Sequence, residues 1–309
     1  SGESLVYVTP WNSKGYDMAK EHGNKFTYVS PVWLQVRGDK AGKPSLTGTH
    51  DIDDEWVTDV LASCSESGSC PKVVPRLVWE APLFRPNDMH RLAGMIGVVY
   101  GTDSTPPRPP QEHQFGGIVL EFGAAPESPL LPWVEKLAGE LHRKKLMLIV
   151  VLPPSVHGQP NAFKATHVNA MAKYVDRFSV MTYDYSSARQ KPGPISPTNW
   201  VEAVIKHLAP RGKTKEKILM GINFYGYDNL NAIVGNTYLE QLEEHSPEMV
   251  WDAAAEEHYY QYTTGDEEHK VYFPSEASVE ARVALANKLG VGIAVWEIGQ
   301  GVPYLFPKL

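Results

Sequence analysis

The sequence predicts an α/β fold: a (β/α)8 barrel of the TIM type with a small α+β insertion between its seventh and eighth strands. Three observations lead there. Eight short β-branched and aromatic runs alternate with helical stretches along the 309 residues. Several runs are apolar at successive positions, the pattern of strands buried on both faces of a parallel sheet. No G-x-G-x-x-G or phosphate-binding loop follows the first run, so an open nucleotide-binding sheet loses its main support. Barrels of this kind reach such a length as one domain, and residues 1–309 are read as a single domain.

The first strand is LVYVTP (5–10) and the second FTYVSPVWLQV (26–36). A helix over DIDDEWVTDVLAS (51–63) follows, its leading acids suiting the positive end of the helix dipole. SCSESGSC then carries Cys64 and Cys70, with five residues between them in a Gly- and Ser-rich stretch. That spacing suits a small disulfide loop better than two separate free thiols, and it leans towards an oxidising compartment. Two close cysteines alone do not make a four-ligand zinc site. The third strand is KVVPRLVW (72–79), followed by a helix over NDMHRLAGMIGVVY (87–100) and a Pro-rich connector, STPPRPPQ (104–111). FGGIVLEF (115–122) is the fourth strand and LMLIVVLP (146–153) the fifth, with a helix over 128–145 between them. A helix over 166–177, the sixth strand FSVMTYDY (178–185), a helix over 198–210 and the seventh strand KILMGINFYGY (217–227) continue the alternation. Residues 228–277 break it. The alternation of HYYQYTT reads as antiparallel sheet, so this segment is the α+β insertion. It holds ten of the 36 acids between Glu240 and Glu268, read as a solvated acidic face. The last helix is expected from Ser278 to Gly290, a cap residue at each end, before the eighth strand VGIAVWEIG (291–299).

Composition narrows the partners. Hydrophobic residues make up 42% and charged residues 21%, a globular balance. A net charge of −7 argues against nucleic acid, whose phosphates need a basic surface, and against a polybasic membrane tether. No apolar run approaches the ~20 residues of a membrane helix, so no membrane insertion is expected. The chain opens on SGESLVYVTP without Met, as a processed or trimmed product would, and no signal peptide or N-x-[ST] sequon is visible. The eleven His show no H-E-x-x-H spacing, and neither metal nor cofactor is expected.

Active sites of such barrels lie at the C-terminal ends of the strands. Those ends hold Trp11, Trp33, Trp79, Glu80, Glu121, Tyr183, Asp184, Tyr185, Tyr225, Trp296 and Glu297, four of the chain's eight Trp among them. Aromatic planes cover the apolar face of a pyranose, and carboxylates accept its hydroxyl protons. The expected ligand is therefore a sugar.

MTYDY (181–185), KILMGINFYG (217–226) and AVWEIGQG (294–301), in that order, resemble the family 18 glycoside hydrolases, the chitinases and chitinase-like lectins. The resemblance spans nearly the whole chain and includes the insertion before the last strand. It implies binding of chitooligosaccharides or other glycans, bacterial lipopolysaccharide sugars among them, with Trp296, Tyr183, Asp184, Tyr185, Glu121, Tyr225, Trp79 and Trp33 as candidate contacts. Asp184 is the residue it implies for orienting the acetamido-bearing sugar. It also implies a role in innate immunity, a scavenger receptor of the stabilin type as protein partner, and secreted or lysosomal residence.

The family's hallmark, D-x-x-D-x-D-x-E on the fourth strand, falls on Gly116, Val119, Glu121 and Gly123 when Phe115 and the Gly-Gly pair set the register. The position of the catalytic acid is then Gly123, which has no side chain. Glu121 stands two residues earlier, about 6.5–7 Å deeper along the strand. A general acid must come within about 2.6–3.2 Å of the oxygen it protonates. The family's substrate supplies its own acetamido nucleophile, so the acid is one of only two protein groups the reaction requires. The expectation is a lectin that is not an enzyme, with Glu121 buried and hydrogen-bonded to a neighbour such as Tyr183. Its alternatives are a weak hydrolase with a relocated acid and a receptor-binding scaffold.

Overall fold

The structure is a computed structural model and describes residues 2–38, 44–66, 68–80, 114–123, 126, 130–159 and 162–309. The helix expected over 87–100 and the Pro-rich connector 104–111 lie outside the described residues. The strands are β1 (Ser4–Val8), β2 (Tyr28–Pro31), β3 (Leu34–Gly38), β4 (Pro44–Thr47), β5 (Lys72–Val73), β6 (Arg76–Trp79), β7 (Gly117–Phe122), β8 (Met147–Leu152), β9 (Arg177–Val180), β10 (Ile218–Asn223), β11 (Gly226–Asp228), β12 (Asn231–Ile233), β13 (Val250–Asp252), β14 (Glu257–Thr264), β15 (Glu267–Tyr272) and β16 (Gly292–Trp296). The helices are α1 (Lys14–Glu21), α2 (Asp54–Ala62), α3 (Leu130–Arg143), α4 (Ala165–Met171), α5 (Thr198–Leu208), α6 (Lys213–Glu216), α7 (Gly235–His245) and α8 (Glu276–Leu289).

The fold is α/β and TIM-barrel-like. β16, β1 and β2 pair in parallel, and so do β6, β7, β8, β9, β10 and β16 in turn. β2 pairs with β5, and β3 with β6. Since β2 runs on into β3 and β5 into β6, the two ends of the ladder belong to the same pair of chain segments and the sheet curls back on itself. The split of the second of these segments falls at Pro75, which has no N–H for the ladder. β4 folds back antiparallel on β3 at the rim.

Alternation along each strand sorts side chains into two compartments. Leu5, Tyr7, Tyr28, Val32, Val74, Val119, Ile149, Val151, Leu219 and Ala294 form the cluster inside the barrel. A larger cluster lies between sheet and helices, with Trp33, Leu77, Trp79, Leu120, Leu148 and Val150 from the strands meeting Trp56, Trp133 and Leu137 from the helices. Trp79 meets Trp133 edge-on with ring centroids 5.7 Å apart.

Caps set the helix ends. Asp53 accepts the Trp56 N–H at 2.9 Å, as the acidic start of that segment predicts. The last helix starts three residues earlier than expected. Ser275, not Ser278, is its N-cap: each side chain accepts the other's backbone N–H, at 3.2 and 2.8 Å, which closes a reciprocal box. Gly290 ends it at φ 68°, a left-handed conformation that glycine adopts without a Cβ clash. Cys64 and Cys70 form a disulfide.

Between β10 and β16 the chain builds a second sheet in the order β12-β11-β15-β14-β13, antiparallel throughout, with α7 beside it. Tyr238 of α7 stacks on Phe273 at 4.2 Å. Buried Glu257 and Arg282, 3.0 Å apart, join this sheet to α8.

Candidate glycan-binding site

The C-terminal mouth of the barrel holds a cavity of ≈ 350 Å³ whose lining includes Tyr7, Arg76, Glu121, Tyr183, Asp184, Tyr225, Tyr227, Trp296 and Gln300. Its floor comes from inward-facing strand positions. Tyr7 donates to Ser179 Oγ at 2.8 Å across the barrel, and its ring lies 5.1 Å from that of Trp296. Arg76 donates from Nε to Glu121 Oε2 at 2.8 Å, and its Nη2 reaches the same oxygen. The guanidinium lies 4.9 Å from the Trp296 ring centroid, a cation–π distance. Glu121 therefore bonds Arg76 and not the expected Tyr183. One carboxylate oxygen is committed as an acceptor, and only Oε1 is left to face a ligand.

The wall is the segment after β9. The expected sixth strand stops at Val180. Thr182 N–H turns back to the Val180 carbonyl at 2.9 Å, and Asp184 has φ 63°, a left-handed conformation incompatible with a strand. MTYDY is thus a loop that projects Tyr183, Asp184 and Tyr185 over the mouth. Gly221 on β10 makes room for it, because a Cβ there would stand 2.4 Å from the Val180 carbonyl oxygen and 3.0 Å from the Tyr183 ring. Asp184 Oδ1 accepts the Tyr227 hydroxyl at 2.9 Å and the Tyr225 hydroxyl closer still. Burial, helped by the Asp184 charge, holds the Tyr225 hydroxyl well above its ordinary pKa, and burial does the same for Tyr183. Both phenols keep their protons at neutral pH and serve as donors.

Trp296, Tyr183, Asp184, Tyr225 and Glu121 are brought together at this cavity, and Tyr185 lines an adjoining one of ≈ 490 Å³ that shares Met181, Tyr183 and Asp184. Trp33 and Trp79 are placed elsewhere. Each is one residue out of step with an inward-facing neighbour, Val32 and Val78, so both rings point to the helix layer and are buried there. Trp11 stands exposed, and Glu80 pairs with Arg37 at 2.6 Å. At the four hallmark positions Gly116 lies against Lys72, Val119 is in the interior cluster and Glu121 faces the cavity. Among the described residues, a Cβ at Gly123 would meet nothing within 4 Å. Arg76, Tyr7, Tyr227 and Gln300 escaped the sequence reading. The signal for Arg76 was a lone charge in the apolar run KVVPRLVW, at a position with the parity of Val74. Among the described residues no group of three or more His, Cys, Asp or Glu could hold a metal ion, and no helix is long and apolar enough to cross a membrane.

Glu297 is fully buried, away from the cavity, and accepts Asn12 Nδ2 and the Gly299 N–H, each at 2.8 Å. Burial outweighs these donors and pushes its pKa up from 4.5 to about 7. A carboxyl whose pKa rises on folding stabilises the fold in its protonated form. That contribution is complete below about pH 4.5 and is lost as pH rises through about 7. Its size is on the order of 3 kcal/mol. Glu297→Gln is therefore expected to flatten the fall in melting temperature between about pH 5 and pH 8 by a few degrees. Thermal unfolding at both pH values checks this, and an unchanged slope in the variant refutes it.

The family described as Glycosyl hydrolases family 18 matches residues 113–301. The cortical fragment-lytic enzyme of Bacillus subtilis is 28% identical over 176 residues, which cover 52% of this chain and 41% of that protein. The match thus spans about two fifths of that relative's length. Among solved structures, a chitinase from Chromobacterium violaceum superposes with a TM-score of 0.78 at 18% identity, covering 100% of this chain and 98% of that one. The spore cortex-lytic enzyme of Bacillus megaterium gives a TM-score of 0.76 at 20% identity over 99% and 72%. These likenesses overturn the expectation that the chain is not an enzyme, which rested on Gly123 alone: the relatives are named as lytic enzymes and chitinases. The match over 113–301, more than half of the sequence, settles the classification: the chain belongs to family 18 of the glycosyl hydrolases.

Proposed function

We propose that the cavity binds a β-linked oligomer of N-acetylhexosamines, one ring lying on Trp296 and its polar substituents meeting Asp184, Tyr183 and Gln300. The observation that carries this reading is Asp184, held at the cavity wall by two tyrosine hydroxyls and facing an indole platform. The chitinases among the structural neighbours support an N-acetylglucosamine oligomer as the ligand. The Cys64–Cys70 disulfide supports residence in an oxidising compartment.

Calorimetric titration with chitotetraose tests the reading. A hydrogen bond to a charged group contributes about 1.5–3 kcal/mol, so Asp184→Ala is expected to weaken binding roughly 10- to 100-fold. Absence of heat at millimolar chitotetraose with the parent chain, or equal affinity in Asp184→Ala, rules the site out.

The names of the relatives favour a second reading, hydrolysis of the same glycans. Glu121 and Asp184 are the carboxylates that face the cavity. Turnover of a fluorogenic chitobioside that falls in both Glu121→Gln and Asp184→Asn supports hydrolysis at this site; turnover that survives both places it elsewhere.

A further inference from the structure

The adjoining cavity has a different character from the one beside Trp296. Its lining includes Tyr185, Arg189, Trp200, Gln159 and Met181, and Asp184, on the wall shared with the first cavity, is its one carboxylate among the described residues. Asp184 Oδ1 is already engaged by Tyr225 and Tyr227. Arg189 is held in place: its guanidinium lies 3.9 Å from the Tyr185 ring centroid, and Nη1 donates to the Tyr185 carbonyl. Tyr185 rests on Trp200 at 5.1 Å. Arg37, Arg76, Arg143, Arg177 and Arg282 each have a carboxylate partner. Among the described residues no carboxylate pairs with Arg189 or with Arg211, and the contacts of Arg189 are a ring and a carbonyl. Arg189 is exposed to solvent on the wall of this cavity, where its guanidinium is open to an anionic ligand.

We propose that this second cavity receives the carboxylate of an acidic sugar, so that the groove selects an anionic glycan whose neighbouring ring lies on Trp296. The inference rests on the glycan-binding reading above and specifies its substrate class. A guanidinium presents two parallel N–H donors that match a carboxylate. Stacking on Tyr185 limits its freedom beforehand, so less side-chain entropy is lost on binding. Tyr185 and Trp200 supply the apolar surface for the ring that bears the acid.

Two tetrasaccharides test it by calorimetry: chitotetraose, and a β-linked tetramer alternating N-acetylglucosamine with N-acetylmuramic acid, whose lactyl groups carry carboxylates. The parent chain is expected to bind the acidic probe roughly five- to tenfold tighter at low salt. That margin shrinks as salt screens an exposed pair. Arg189→Gln, confirmed as folded by its melting curve, is expected to bring the two probes within about twofold of each other, whereas Arg189→Lys keeps part of the difference. Equal affinities in the parent chain, or a preference that survives Arg189→Gln, overturn the inference while leaving glycan binding standing. Failure of both probes to bind the parent chain defeats the glycan reading itself.

Discussion

Gly123→Glu is expected to raise turnover of a fluorogenic chitobioside about tenfold over the parent chain, less than the ~10²–10⁴-fold of a positioned general acid because Glu121 and Asp184 already face the cavity. Three observations support a gain. A Cβ at position 123 meets nothing within 4 Å among the described residues, so the first atom of the new side chain displaces none of them. Position 123 follows Phe122, the last residue of β7, with the parity of Glu121, so its side chain faces the same mouth. Arg76 already donates twice to Glu121, which leaves the introduced carboxylate to the ligand. Gly123→Gln has nearly the same shape and no acidic proton, and it should not reproduce the gain. Adding Asp184→Asn to Gly123→Glu should remove most of it, because an acid without a correctly held sugar loses the benefit of proximity. A rate in Gly123→Glu no higher than in Gly123→Gln would refute the register that places the family's acid here.

The fourth strand was legible in the sequence because glycines and a phenylalanine punctuate an otherwise continuous apolar run. The alternation of strand and helix was legible for the same reason. What the sequence hid was mostly parity. Trp33 and Trp79 sit near strand ends, as the expected groove residues should, but a shift of one residue turns a side chain to the opposite face. Both belong to the helix-facing set with Leu77 and Leu120. Counting from Val74 and Arg76 places Trp79, and counting from Tyr28 and Val32 places Trp33. The extent of the sixth strand was hidden for another reason: Asp184 takes a left-handed φ that its residue type permits and nothing in MTYDY announces. Arg76 was hidden because its partner, Glu121, lies 45 residues away and becomes its diagonal neighbour only through the β6–β7 register, which sets Arg76 against Val119 and Val78 against Glu121. Ser275 and Ser278 are both good capping residues, and only the reciprocal hydrogen bonds show which one opens α8.

Arg282→Met is expected to cost about 3–5 kcal/mol of folding stability, the range for breaking one side of a buried ion pair. It should lower the melting temperature by roughly 10 °C and weaken chitotetraose binding, although Arg282 lies outside both cavities. The reason is what Arg282 holds. Its Nη1 donates to the carbonyls of Glu256 at 2.7 Å and Ser278 at 2.9 Å, and its Nη2 to Ala255 at 3.2 Å, Glu257 Oε1 at 3.0 Å and the Ser196 carbonyl. Glu257 in turn accepts the N–H groups of Ile195 and Ser196 at 2.9 and 2.6 Å. Ser196 Oγ donates to the Thr182 carbonyl at 2.6 Å, and Tyr185 N–H donates to Ile195 at 2.8 Å. The loop that presents Tyr183, Asp184, Tyr185 and Arg189 is therefore tied at both ends to a charge pair beneath it. Burial pushes the Glu257 pKa up even with Arg282 alongside, so removing the cation leaves a carboxylate with no compensating charge. A buried ion pair can often be exchanged for apolar residues at little cost, and Arg282→Met with Glu257→Leu tests whether that holds here. It should not, because the double variant strands two amides and several carbonyls that no apolar side chain can satisfy. A double variant as stable as the parent chain would show that the pair acts only as a charge pair and that the loop is held by other contacts.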